Sequence, residues 1–141
     1  MITFHVENIS FKLSNRRRLK AWIKQVVTDE AKVLGDVNYI FCSDDYLFSI
    51  NKTYLNHDYF TDVITFDYSE QLAISGDIFI SVDTVRTNAI EYNVSFEDEL
   101  YRVMVHGILH LCGYKDSSKS ESTVMRERED WHIAKTQSWF S

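Results

Sequence analysis

An α+β domain, with a mixed sheet of about four strands covered by helices, is the fold that the sequence predicts. Three observations point there. The 141 residues suit one domain, since domains most often run about 100–150 residues. Hydrophobic residues form 45% of the chain and aromatics 14%, enough to bury a core and unlike a disordered composition. Segments that alternate every second residue are interleaved with segments whose apolar residues recur every three or four. No repeat, low-complexity tract or linker interrupts them, so residues 1–141 read as a single domain.

The elements follow in order. "ITFHVEN" alternates and is rich in β-formers, which predicts a first strand. Ser14 or Asn15 can cap a helix carrying Leu19, Trp22, Ile23, Val26 and Val27 on one side. That helix is expected to run to about Leu34, with Gly35 closing it. "DVNYIFCS" is a second strand, and "DDYLFSINKTYL" a helix with Leu47, Ile50 and Tyr54 along one face. "TDVITFDY" and "GDIFISV" are two further strands joined by a polar, glycine-ended turn. "DTVRTNAIEYN" is helical, and "SFEDELYRVMVHGILHLCG" is the clearest helix, with Ser95 and Asp98 or Glu99 as a capping box and Gly113 at its end. "SESTVMREREDWHIAKTQSWF" is the last.

Composition narrows the function. Nothing approaches the ~18 consecutive apolar residues of a membrane span, and the opening "MITFHVENISFKL" has no basic region followed by an apolar run. Cys42 and Cys112 sit in apolar surroundings at no motif spacing. They read as reduced core thiols, so a cytoplasmic protein without a membrane partner is expected. A net charge of −6 argues against a general nucleic-acid coat protein. Yet residues 11–24, "FKLSNRRRLKAWIK", collect Arg16, Arg17, Arg18 and Lys20 with Lys12 and Lys24 and no acid. Such a stripe is either an RNA-phosphate contact or a solvated helix face.

The stretch "VHGILHLCGYKD" carries the chemistry. His106 and His110, four apart on a helix, lie over one another and can aim ring nitrogens at one cation. Gly107 between them permits close approach, and Gly113 turns the chain so that Asp116 can reach the same point. Two imidazoles, a carboxylate and a free fourth position suit one catalytic zinc or another divalent ion. The bland alternative is a pair of hydrogen-bonded helix histidines. The offsets also match a metallopeptidase pattern, but a peptidase carries a glutamate base where this chain has Gly107. Asp62 and Asp77 are each placed at the start of a strand, where a carboxylate can orient a ligand histidine or cap a turn. Thr61 and Thr65 read as strand residues, Glu121 as a solvated helix start and His132 as a surface residue. Trp22, Trp131 and Trp139 are aromatics able to stack on bases, with Trp22 spaced for the core.

"HGILHLCGYKD" closely resembles the H-G-x-L-H-L-x-G-Y-D-H signature of the YbeY family, metal-dependent endoribonucleases of ribosomal RNA maturation. "INKTYLNHDYFTDVITF", "GDIFIS", "FEDELYRVMVHG", Met125 and Glu129 extend the resemblance across residues 36–133. It implies phosphodiester hydrolysis in single-stranded or ribosomal RNA, with one metal held by His106, His110 and Asp116 and with the ribosome and its proteins as partners. A ribosome-associated RNA-binding factor with a structural metal is the rival reading. Two positions depart from the pattern. Asp116 stands where the family usually has histidine, with Lys115 before it in place of aspartate, and Leu55 stands where the family has an arginine associated with phosphate.

Overall fold

The computed structural model describes residues 1–57 and 61–136. Among them the chain order is β1 (Ile2–Glu7), α1 (Arg16–Asp29), β2 (Val33–Cys42), α2 (Asp44–Leu55), β3 (Val63–Asp67), β4 (Ala73–Ser81), α3 (Val82–Glu91), α4 (Phe96–Leu111) and α5 (Lys119–Ala134). The sheet order is β1-β2-β4-β3. β2 pairs in parallel with both β1 and β4, while β3 returns antiparallel along β4. The sheet is therefore mixed, and β1 and β3 are its two edges.

Alternation along the strands divides the sheet into two unequal faces. Val37, Tyr39 and Phe41 of β2 and Ile74, Ile78 and Ile80 of β4 point to one side. There they bury against Leu19, Trp22, Ile23, Val26 and Val27 of α1 and Leu100, Val103, Met104, Ile108 and Leu109 of α4. The other face holds a smaller cluster, Cys42, Leu47 and Ile64 with Ile50, Phe66 and Phe79 beneath α2. Toward β1 that face turns polar. Thr3 bonds Asn38, Asn38 bonds Asp77 at 2.9 Å, and the Tyr68 hydroxyl reaches Asp77 at 3.4 Å.

The large core depends on one close approach. A Cβ on Gly107 would lie 2.7 Å from Ile78 Cγ2, so the glycine lets α4 sit directly on β4. That is the same glycine that separates the two histidines of the sequence motif.

Several expectations are corrected. α1 stops at Asp29, not near Leu34: Glu30 leaves the helix and Ala31 takes φ 59°. β2 already begins at Val33, and Gly35 lies inside it, where a Cβ would collide with Ser75 Oγ and the Ile74 carbonyl. It is a close-packing residue rather than a helix stop. Asn15 caps α1 in a left-handed conformation without a side-chain bond. Gly76 is likewise within β4, so the β3–β4 turn ends before it. Asp77 lies mid-strand on the polar face and does not start β4. Ser95 Oγ accepts from the Asp98 N–H, while the reciprocal capping box belongs to Ser118 and Glu121 at α5. Cys42 is buried and Cys112 half-buried, and burial pushes each thiol up to about 12, which favours the protonated form.

Candidate metal centre

α4 carries the two histidines at its C-terminal end and stops cleanly. Cys112 caps it, Gly113 takes φ 109°, and the Gly113 and Tyr114 N–H groups donate to the His110 and Leu109 carbonyls at 3.0 Å. A residue with a Cβ resists that left-handed turn, so glycine is required there. The reversal brings Asp116 back over the helix end, and Ser122 Oγ of α5 holds the Asp116 carbonyl at 3.0 Å.

Three donor atoms converge. His106 Nε2 and His110 Nε2 are 3.0 Å apart, and Asp116 Oδ2 lies 3.3 and 3.4 Å from them. The rings stand nearly perpendicular, at 86°. The outer nitrogens explain the aim. His110 Nδ1 donates to the Tyr114 carbonyl at 3.0 Å, an acceptor that can only accept, so His110 carries its proton there and offers Nε2 as a lone pair. His106 Nδ1 lies 2.6 Å from Glu129 Oε2, which orients that ring in the same sense. Glu129 is 4% exposed and also accepts from Arg102 Nη1 at 3.0 Å. With both rings in that tautomer, the three atoms are acceptors pointed at one another and could hold a cation between them. Carboxylate–histidine and carbonyl–histidine pairs of this kind are the usual supports of a metal ligand. His106, His110 and Asp116 form the group able to hold an ion among the described residues, their ligand atoms all within 4.8 Å.

Charge at the site is balanced toward cations. Burial opposes a charged His106 ring, but the Glu129 hydrogen bond and the charges of Glu129, Asp116 and Asp62 outweigh it and raise its pKa. Asp62 sits just before β3, with its carbonyl accepting the Ser81 N–H at 2.9 Å. Burial lifts its pKa, with His106 and local N–H groups pulling the other way. Burial, then Asp62, also lifts Glu99.

Two clefts meet at this point. One, of about 630 Å³, is lined by Tyr92, Glu99, Arg102, Lys119, Arg126 and Glu129. The other, of about 540 Å³, is lined by Thr61, Thr65, Asp67, His110 and Lys115. Asp62, His106 and Asp116 line both, so the donor cluster stands at the crossing. A long substrate can pass over it rather than end in it.

Not every sequence candidate reaches the crossing. Arg16, Arg17, Arg18 and Lys20 are exposed at the start of α1. Arg16 and Lys20 lie over the ring of Phe4 on edge strand β1, at 5.9 and 5.6 Å. The clefts open beside the opposite edge, β3, and their cations are Arg102, Lys115, Lys119 and Arg126. Arg102, in the first cleft, is bound to Glu129 and Asp130, and Arg86 lies over Phe96. His132 is corrected outright. It is 1% exposed, with Nε2 2.6 Å from Glu30 Oε2. Trp22 is buried, and its Nε1 donates to the His132 carbonyl; Trp131 is exposed and flanked by Arg128 and Lys135. Trp139 lies outside the described residues. Glu121 is committed to capping α5.

Sequence reasoning underrated Glu129 and missed Glu30. The signal was present in α5, whose buried positions Met125, Glu129 and His132 recur at four and three. Two ionisable residues on an inward stripe demand partners.

The family model described as Endoribonuclease YbeY matches residues 2–137. The chain is 52% identical over 134 residues to the Endoribonuclease YbeY of Flavobacterium johnsoniae, covering 95% of this chain and 96% of the relative. It is 45% identical over 133 residues to that of Bacteroides thetaiotaomicron, covering 94% and 97%. A solution structure of a Thermotoga maritima protein superposes with a TM-score of 0.68 at 31% identity, covering 99% of this chain and 91% of that one.

Proposed function

The chain belongs to the YbeY endoribonuclease family, and from that premise we propose that it cuts single-stranded RNA during ribosomal RNA maturation, using one zinc ion held by His106, His110 and Asp116. The observation that carries the reading is the convergence of three lone-pair donors at the crossing of two clefts. A divalent ion supplies Lewis acidity toward water and a phosphate oxygen there. Two imidazoles and one carboxylate fit zinc with a position left open. A closely related divalent ion with the same donor preference would fit as well.

The residues around it divide the work. Glu129 and the Tyr114 carbonyl hold the two rings in the tautomer that presents Nε2. Asp62, at the crossing and with its pKa raised by burial, is placed to take up and hold a proton during hydrolysis. Lys115, Lys119 and Arg126 line the clefts and receive backbone phosphates on either side of the cut. Arg102 serves chiefly to steady Glu129. The stripe Arg16, Arg17, Arg18 and Lys20 would contact RNA beyond the clefts, at the other edge of the sheet. A peptidase fits worse, because Gly107 faces Ile78 in the core and supplies no base.

Residues 1–141 act as one catalytic domain in this reading. Among the described residues no helix is long and apolar enough to cross a membrane, and the cytoplasm, with the ribosome and its proteins as partners, is the proposed setting. The test is direct. Purified protein should carry about one zinc per chain and cleave single-stranded RNA, and a chelator should abolish cleavage until zinc is restored. Cleavage that persists after complete metal removal would falsify the metal-dependent mechanism. Metal retained without any cleavage would leave an RNA-binding factor with a structural ion.

A further inference from the structure

We infer that Glu30, remote in sequence from the motif, is a positioning residue that sets the aim of His110 through Tyr114. The inference rests on the metal-centre reading and extends it to a residue on α1. Glu30 follows the last residue of α1, and its carboxylate is only 6% exposed. Both oxygens are occupied. Oε1 accepts from the Tyr114 hydroxyl at 2.6 Å. Oε2 accepts from Arg128 Nη2 at 2.5 Å and Nε at 3.1 Å, and lies 2.6 Å from His132 Nε2.

Tyr114 therefore has three restraints. Its N–H donates to the Leu109 carbonyl, the residue before it holds a left-handed turn, and its side chain is fastened to Glu30. The group so restrained is the carbonyl that accepts from His110 Nδ1. Two residues on, the same loop delivers Asp116. Without the Glu30 anchor the peptide at Tyr114 can rotate, the His110 ring loses its fixed tautomer, and the third ligand loses its register. A ring-orienting partner of a metal ligand typically changes metal affinity about 10–100-fold. One step further out, about tenfold is expected.

Zinc affinity, measured by competition with a chromophoric chelator, reads this without reference to cleavage. Tyr114→Phe removes one oxygen and leaves the carbonyl in place. It should weaken zinc binding about tenfold, with the KM for single-stranded RNA unchanged once zinc is saturating. Glu30→Ala should weaken it at least as much, and the double variant should be no worse than Glu30→Ala, because both act along one chain of contacts. Lys135→Ala, which breaks the neighbouring Asp29 pair, should lower thermal stability without moving zinc affinity. Should Glu30→Ala fail to fold, Tyr114→Phe alone decides. Variants that lower the melting temperature yet bind zinc within twofold of wild type would show an ordinary structural role and overturn the inference. Fully additive losses in the double variant would also overturn it. If the wild-type chain itself binds no zinc, the metal centre fails and the inference falls with it, an outcome visible before any variant is made.

Discussion

Asp116 is the residue on which the donor set turns. It is the most exposed of the three, with 44% of its side chain open, and the loop that presents it is held by α5 through Ser122. Asp116→Ala should lower zinc affinity by more than about a hundredfold, beyond what outer partners usually contribute, and cleavage should fall in parallel. Asp116→His should restore a three-ligand site, because imidazole and carboxylate both bind zinc at about 2.0–2.2 Å. Equilibrium dialysis with metal analysis checks both, and wild-type affinity in Asp116→Ala would place the third ligand elsewhere. Glu129→Gln keeps the shape but removes the charge facing His106 and Arg102; about a tenfold loss of affinity is expected. The three donors were legible in the sequence because helical periodicity and a glycine stop determine their placement locally. The partners of Glu129 and Glu30 were not, because they lie 23 and 84 residues away and only tertiary packing brings them together.

Two contacts between elements set the site's geometry. The first is α4 on β4. Gly107→Ala would push a methyl into Ile78, and overpacking of this kind costs about 1–3 kcal/mol, against roughly 1 kcal/mol recovered in helix propensity. A net loss of up to about 2 kcal/mol in chemical denaturation is expected, together with weaker zinc binding as the helix lifts. The second is α1 on α5, where Glu30 meets His132. Burial, partly offset by Glu30, lowers the His132 pKa below its ordinary value of 6.5. Hydrogen bonds from Tyr114, Arg128 and His132 outweigh burial and lower Glu30 below 4.5. In each case the unfolded chain binds the proton more readily, so stability falls as pH falls. The His132 loss sets in below about pH 6.5, and the Glu30 loss follows through the carboxylate range. In the metal-free protein His106, with a raised pKa, works in the opposite sense. The difference between wild type and His132→Gln removes that common contribution. The variant should lose less stability between pH 7 and pH 5; parallel curves would refute the assignment. Element types were readable from periodicity throughout. The boundary of α1 was not, since the chain departs at Glu30 to reach Tyr114 in the loop after α4 and Arg128 and His132 on α5, and Gly35 serves packing against Ser75 rather than ending a helix.

At the scale of the whole molecule, charge and chain order both matter. The chain is acidic overall, with net charge −6, while the α1 stripe and the clefts lie beside opposite edges of the sheet. Replacing Arg16, Arg17 and Arg18 with Ala should weaken RNA binding for all sequences alike and leave the cleavage pattern unchanged. The slope of log affinity against log salt should shrink by about two, at ~0.7 per phosphate contact for single strands. Unchanged affinity at low salt would make the stripe a solvated helix face. The order of the elements has a further consequence, for the protein as it is being made. β2 cannot complete its parallel pairing until β4 has been synthesised, and the ligands follow only at residues 106–116. Glu129, Arg128 and His132 come later still, on the final described helix. A nascent chain ending at residue 118 would hold every donor atom yet lack the carboxylate that orients His106 and two of the groups that clamp Glu30. Translation thus supplies the sheet before the supports of the candidate metal centre, and α5, the final described helix, is the element that brings Glu129 to His106.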